Sequence, residues 1–580
     1  MFLNLFWLVF IYSLFFSIIF ILGKFANNYL FRFKELSFGE TGILGFISIY
    51  SIILITHFII PISDFFIYST YSLLLIFFLR EYQNFFIFKN IRKFTFIITF
   101  VVFIILAITN NHHDDLYIYQ LPIINYMQNY KIIFGLININ DFIGQGHSFY
   151  EIMSFFKFPV YENRAYFLIP IIFVNFFVIY LFEILKIEKN LLVKYFIYFI
   201  IILLIIRYNR SKEYGTDIPI LCLLFYIQIN FFRYINKKEF DYFLKAVLAS
   251  MFCIILKLYG ILSIFYLLAF LPIMKKNFFQ IFKKKKILIF IILIFSLTII
   301  KNLIVSGCLF YPISETCINK KTVKWSISKE VAGMRHEFYN AQVLGWRSYT
   351  KNINNRNFIS AKSYLNKNIL EKAKGLFNDK DSEKIIAGLV LVTLFLILFL
   401  FSNKKKKINN MDQFTNFLIS LCLFLPFLIW LIKFPQSRYG YFSYISCFVF
   451  FASFNYFKIG MLSKKFLISL FSIFLIFLII KNFIRIGNEI KSESYDQINY
   501  PIKKFKENNY KIKFIDGIQF NIPTESFMEC SNIPMLCAAN QKMIDKVSVI
   551  NGYYFIENNI SELKKHINRS AVHDMIDTNN

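Results

Sequence analysis

Asn110-Asn111-His112-His113-Asp114-Asp115-Leu116-Tyr117 follows directly on Phe94 to Ile108, a run of mostly apolar residues. The run predicts a helix inside a bilayer, so two carboxylates and two imidazoles stand where a membrane helix gives way to water. Carboxylates at that depth are expensive and usually serve a substrate. The rest of the chain reads as a membrane scaffold that presents this acidic corner.

The composition agrees. Of 580 residues, 57% are hydrophobic and 20% aromatic, 77 of them Phe, and only 17% are charged. No soluble domain of this length has that make-up, which predicts an all-α polytopic membrane protein. The formal net charge of +29 first suggests nucleic acid. The Lys and Arg lie in short loops between apolar runs, however, and form no binding stripe, which argues against nucleic acid as a partner.

A helix needs about 20 apolar residues to cross a bilayer. The apolar runs predict fourteen spans, near 2-23, 41-61, 66-80, 94-109, 164-185, 191-206, 216-232, 244-256, 259-274, 285-305, 385-402, 414-432, 439-457 and 466-486. The first lacks a basic leader and a small-residue cleavage site, so it reads as a retained helix. Cationic clusters such as Lys24/Arg32/Lys34, Arg233/Lys237/Lys238, Lys283 to Lys286 and Lys404 to Lys407 then fall in alternate loops, as cytoplasmic loops do. The weakest stretch is 244-274: one long helix there would reverse every later loop. A hairpin turning at Lys257-Leu258-Tyr259-Gly260 keeps the charges consistent.

This topology divides the chain into N-terminal helices (1-93), a core with an outer acidic loop at 110-163 (94-305), an outer loop domain (306-384), C-terminal helices (385-486) and a small α/β tail (487-580). Both termini and the three larger segments face outward from a cytoplasmic membrane. Cys308 and Cys317 share one outer loop, and Cys530 and Cys537 share the tail. Two close pairs on an oxidising face suggest two local disulfides.

The residues able to carry chemistry gather on the same face. Asp115 or Asp114 suits a general base on a hydroxyl, with His113 beside it. The alternative is a solvated helix end or a cap. Adjacent His112 and His113 cannot readily turn to one ion from a helix, so a divalent metal is the lesser reading and no cofactor is required. Asp217 opens a span from outside, either as a second functional carboxylate or as a charge satisfied by the helix dipole. Lys257 at the hairpin tip and Arg438 in Lys433-Phe434-Pro435-Gln436-Ser437-Arg438-Tyr439 offer positive charge for a phosphate. Arg438 also suits snorkelling to head groups. Arg335, in the large loop, is a phosphate ligand or a solvated cation. No P-loop, serine-hydrolase elbow or zinc-protease motif is present.

A hydrophobic span followed by the outward pair Asp114-Asp115 resembles the first outer loop of GT-C-type membrane glycosyltransferases. Asp115-Leu116-Tyr117-Ile118-Tyr119-Gln120 with Gly135-Leu136-Ile137-Asn138-Ile139-Asn140 looks like uncharacterised bacterial members of that clan, as do Ser306 to Pro312, the Trp325 region and Pro435 to Arg438. Here the acidic loop follows the fourth predicted span, whereas typical members carry it after the first. The resemblance implies a GT-C-like bundle and an inverting transferase that takes a sugar from a polyprenyl-phosphate donor in the membrane lipid to a glycan or lipid acceptor. On that reading Asp115 or Asp114 takes the acceptor proton, Asp217 positions the acceptor, and Lys257 and Arg438 balance the departing lipid phosphate. A surface-polysaccharide polymerase or ligase, and a lipid or solute transporter, are the competing readings.

Overall fold

The computed structural model describes residues 2–85, 93–108, 115–145, 148–159, 163–207, 215–274, 284–346, 360–377, 380–400, 412–456, 509–524 and 540–576, with scattered positions between them. In chain order the helices are α1 (Phe2–Ala26), α2 (Phe38–His57), α3 (Asp64–Phe85), α4 (Lys93–Ile108), α5 (Leu121–Asn129), α6 (Ser148–Ser154), α7 (Leu168–Ile187), α8 (Leu191–Ile206), α9 (Asp217–Lys237), α10 (Phe240–Leu256), α11 (Ser263–Met274), α12 (Lys285–Ser306) and α13 (Lys329–Val343). After these come α14 (Ala361–Leu365), α15 (Ile369–Phe377), α16 (Lys380–Leu400), α17 (Gln413–Lys433) and α18 (Phe442–Tyr456). The tail holds β1 (Tyr510–Ile515), β2 (Ile518–Pro523), β3 (Ile544–Ile550), β4 (Tyr553–Asn558) and α19 (Ile560–Ile576).

Six helices among the described residues are long and apolar enough to cross a membrane: Leu3–Phe31, Phe38–His57, Ala165–Ile187, Asp217–Lys237, Lys285–Ser306 and Gln413–Lys433. Three shorter apolar helices accompany them, Phe96–Ile108, Leu191–Ile206 and Leu258–Met274. The sequence count of fourteen is therefore not reached. It took every apolar run as a separate crossing, and the run at 466-486 lies largely outside the described residues.

The bundle is built around α2, α7 and α9, which are buried over most of their length. Small residues allow this. A Cβ on Gly23 would stand 1.8 Å from the Thr41 carbonyl oxygen, one on Gly45 2.0 Å from that of Ile19, and one on Gly42 2.1 Å from the Phe176 ring. Glycine thus lets α1 and α7 lie directly against α2, the close approach that packs helices where lipid offers no hydrophobic drive. The start of α2 is fixed by a capping box. Ser37 Oγ accepts from the Glu40 N–H, and the Ser37 N–H donates to Glu40 Oε2. By contrast α12 and α17 keep apolar faces open, with Ile289 63% and Phe417 63% exposed. Such faces belong against lipid.

The chain reverses at Lys257, whose backbone is extended (φ −163°, ψ 142°) between α10 and a short 3₁₀ turn. The register on either side is antiparallel. The Phe243 and Phe270 rings lie 5.2 Å apart, Ser250 Oγ and Ser263 Oγ 2.5 Å, and a Cβ on Gly260 would meet the Cys253 carbonyl oxygen at 2.2 Å. This is the helical hairpin that the charge parity demands.

The three large segments assigned to the outer face come together. In the tail, β1 and β2 form one two-stranded antiparallel sheet and β3 and β4 another. Phe134 extends the second: its N–H donates to the Tyr554 carbonyl, and the Ile556 N–H donates back to the Phe134 carbonyl. Asn138 Nδ2 donates to the Trp325 and Ile556 carbonyls. A buried ion pair between Arg335 and Asp141, with His566 Nε2 at 3.8 Å from Asp141 Oδ1, takes one residue from each segment. Disulfides close Cys308–Cys317 and Cys530–Cys537.

Candidate functional site

Four elements place charge at one end of the bundle. Asp217 begins α9, where the helix dipole favours an anion. Its Oδ1 lies 2.7 Å from Lys257 Nζ at the hairpin tip, and both side chains keep partial access to solvent, at 26% and 33%. Arg207 closes α8 as its C-cap, the helix end that favours a cation. Its Nη2 donates to Ser437 Oγ at 3.2 Å, and its guanidinium lies over the Phe442 ring. Arg438 completes the group from the turn between α17 and α18.

That turn is shaped by its own sequence. Pro435 follows the end of α17, and Gly440 adopts φ +84°, a left-handed conformation natural to glycine. Trp430 Nε1 donates to the Gln436 carbonyl, and Arg438 Nε donates to Gln436 Oε1 at 2.9 Å. The Tyr439 ring then receives two cations, Arg438 at 4.9 Å and Lys257 at 5.2 Å from its centre. Arg438 and Arg207 both act on the Asp217 carboxylate as well as Lys257 does. One carboxylate thus faces three cations, and the surplus is positive.

The acidic loop reaches this cluster through tyrosines. Tyr119 OH donates to Asp115 Oδ2 at 3.3 Å, and its ring lies edge-on to Tyr150, 6.0 Å away. Burial pushes the Tyr150 phenol well up, and the negative charges of Asp115 and Asp217 push it further. Both carboxylates therefore lie within electrostatic reach of one hydroxyl. Burial likewise raises Tyr119, with Tyr150 and Asp115 adding to it. Both phenols stay protonated at neutral pH, and Tyr119 acts as a donor.

Of the residues singled out in the sequence, Asp217, Lys257 and Arg438 are brought together, while Asp115 is held by Tyr119, whose ring packs on Tyr150. Asp114 and His113 lie outside the described residues. Arg335 is not in the cluster: it is entirely buried against Asp141, with the Phe142 ring 4.5 Å from its guanidinium. Among the described residues no group of three or more His, Cys, Asp or Glu side chains is arranged to hold a metal.

Sequence reasoning missed Arg207, Tyr150 and a second buried pair. Arg207 carried a signal, the first of three cations (with Arg210 and Lys212) in a loop that the charge parity assigns to the outer side, where cations are disfavoured. Lys301 carried a stronger one, a lysine inside the run 285-305. Its Nζ lies 2.5 Å from Glu151 Oε1, and both line a cavity with His57, Lys131 and Asn302. A second hollow, bordered by Lys257, shares Gly144 and Asn302 with it.

A family model described as a domain of unknown function (DUF8201) matches residues 5–446, which takes in every residue of the cluster and leaves the tail outside. No curated protein and no solved structure matches the chain.

Proposed function

This chain belongs to the DUF8201 family, and we propose that it is a membrane glycosyltransferase moving a sugar from a polyprenyl-phosphate-type donor to a glycan or lipid acceptor. The observation that carries the reading is Asp217 paired with Lys257 at 2.7 Å, with Lys257 and Arg438 sharing the Tyr439 ring and Arg207 held on the neighbouring Ser437. A carboxylate beside clustered positive charge is what such a transfer needs.

In the proposed reaction Asp115 takes the proton of the acceptor hydroxyl, whose oxygen attacks the anomeric carbon. The bond from that carbon to the lipid phosphate breaks, and the phosphate leaves with the electron pair. Lys257, Arg207 and Arg438 stabilise the charge that develops there. Asp217 holds Lys257 in place and orients the acceptor. Transfer with inversion follows from attack opposite the leaving group. The reaction runs on the outer side of the cytoplasmic membrane.

The test is transfer of labelled sugar in vesicles that contain the purified protein. Asp115→Asn abolishes transfer while the protein remains inserted; full activity in this variant removes the base assignment. Arg438→Ala raises the donor concentration required.

The Glu151–Lys301 pair favours a second reading, a solute or lipid carrier, because ionised groups inside the bundle mark transport pathways. Uptake or efflux that stops in Lys301→Met, with no sugar transfer in the unsubstituted protein, selects the carrier.

A further inference from the structure

The β3–β4 hairpin stands at the foot of the tail. Its two-residue loop, Asn551-Gly552, has positive φ at both positions (53° and 78°), the turn that matches strand twist. Tyr553 OH donates to the Phe58 carbonyl at 2.8 Å, one residue beyond the end of α2. The Ile132 N–H donates to the His57 carbonyl, and Phe134 of the same segment stacks on Phe555 at 4.3 Å. The far end of the hairpin points the other way, where Lys320 Nζ donates to the Asn558 carbonyl. The loop is therefore level with the end of a membrane-crossing helix, and the open end is remote from it.

Apolar side chains are exposed at this level. Val549 is 46% and Ile550 55% exposed beside the loop, and Ile59 62% and Ile60 42% in the turn after α2. Tyr553 and Lys131 sit among them, with the ammonium 4.9 Å from the ring centre. Aliphatic side chains ringed by tyrosine and lysine at a span end are the composition of the membrane–water interface.

We infer that the tip of the β3–β4 hairpin is a lipid-docking surface: Val549 and Ile550 continue the exposed apolar surface of the turn after α2 and enter the interfacial layer of the bilayer. The occupant is bilayer lipid, because the patch is continuous with the end of a helix that crosses it. The tail then rests on the membrane as well as on the outer loops.

The experiment uses the full chain in phosphatidylcholine vesicles, with Ile550→Cys carrying an environment-sensitive fluorophore in a Cys422→Ala background. Ile550 is exposed and the substitution leaves packing intact; Lys513→Cys, on the other hairpin, is the comparison. Emission from position 550 shifts to shorter wavelength than from position 513, and lipids bearing a nitroxide near the head group quench it by half or more. Water-like emission without quenching overturns the inference. Blue-shifted emission that lipid nitroxides do not quench also overturns it, since protein, a second copy or another partner, then covers the patch.

Discussion

Asn558 donates from Nδ2 to Asn138 Oδ1 at 2.7 Å, and Asn138 in turn donates to the carbonyls of Trp325 and Ile556. One buried amide thus ties the first outer segment to both the large loop and the tail. Asn138→Ala strands these partners, and an unsatisfied buried polar group costs about 1–3 kcal/mol. The expected outcome is a lower unfolding temperature and rapid protease cleavage within 510–558. Unchanged resistance shows that the tail is held elsewhere.

Asp217 and Lys257 are half-exposed, so their pairing contributes at most about 1 kcal/mol to stability. Lys257→Met is therefore expected to leave unfolding almost unchanged while lowering sugar transfer about a hundredfold or more, the loss typical of removing a charge-stabilising donor. A variant that unfolds early and transfers normally once folded assigns the pair to the scaffold.

Arg335 behaves in the opposite way. Removing one partner from a buried ion pair costs about 3–5 kcal/mol, so Arg335→Met is expected to reduce folded protein sharply. Asp141→Asn is expected to cost as much, because the amide keeps an acceptor but leaves the buried guanidinium charge unbalanced. Arg335→Met that folds normally but needs more donor substrate restores the phosphate-binding role first expected for this residue.

Cys308–Cys317 and Cys530–Cys537 are closed, whereas Cys222, Cys253 and Cys447 are buried. If both disulfides form in the cell, the two segments lie on an oxidising side. A bulky maleimide applied to denatured, unreduced protein is expected to leave four cysteines unlabelled, and to label them after reduction. Labelling of all eight without reduction puts these segments in the cytosol.

How far the sequence leads depends on the range of the contact. The reversal at Lys257 was legible because charge bias is a local property of each loop, and a wrong parity contradicts every later one. Asp217 and Lys257 could be named for the same reason: each is an isolated charge beside an apolar run. The pairing of Phe134 with Tyr554 and Ile556 was not legible, since strand partners far apart in the chain leave no spacing to read. Arg335 was misplaced as a surface cation because its partner Asp141 lies in a different outer segment. The count of fourteen spans is not confirmed among the described residues, and composition is the reason. Where Phe and Ile are everywhere, an apolar run does not say whether it crosses, turns back or packs inside.

Addition of the Phe134 segment to β4 has a consequence for biosynthesis. The tail leaves the ribosome only after residues 1–456, so the backbone of Phe134, the amide of Asn138 and the carboxylate of Asp141 wait through most of translation without their final partners. The outer segments are then joined in one late step, and a nascent chain halted before the tail keeps these buried polar groups unmatched.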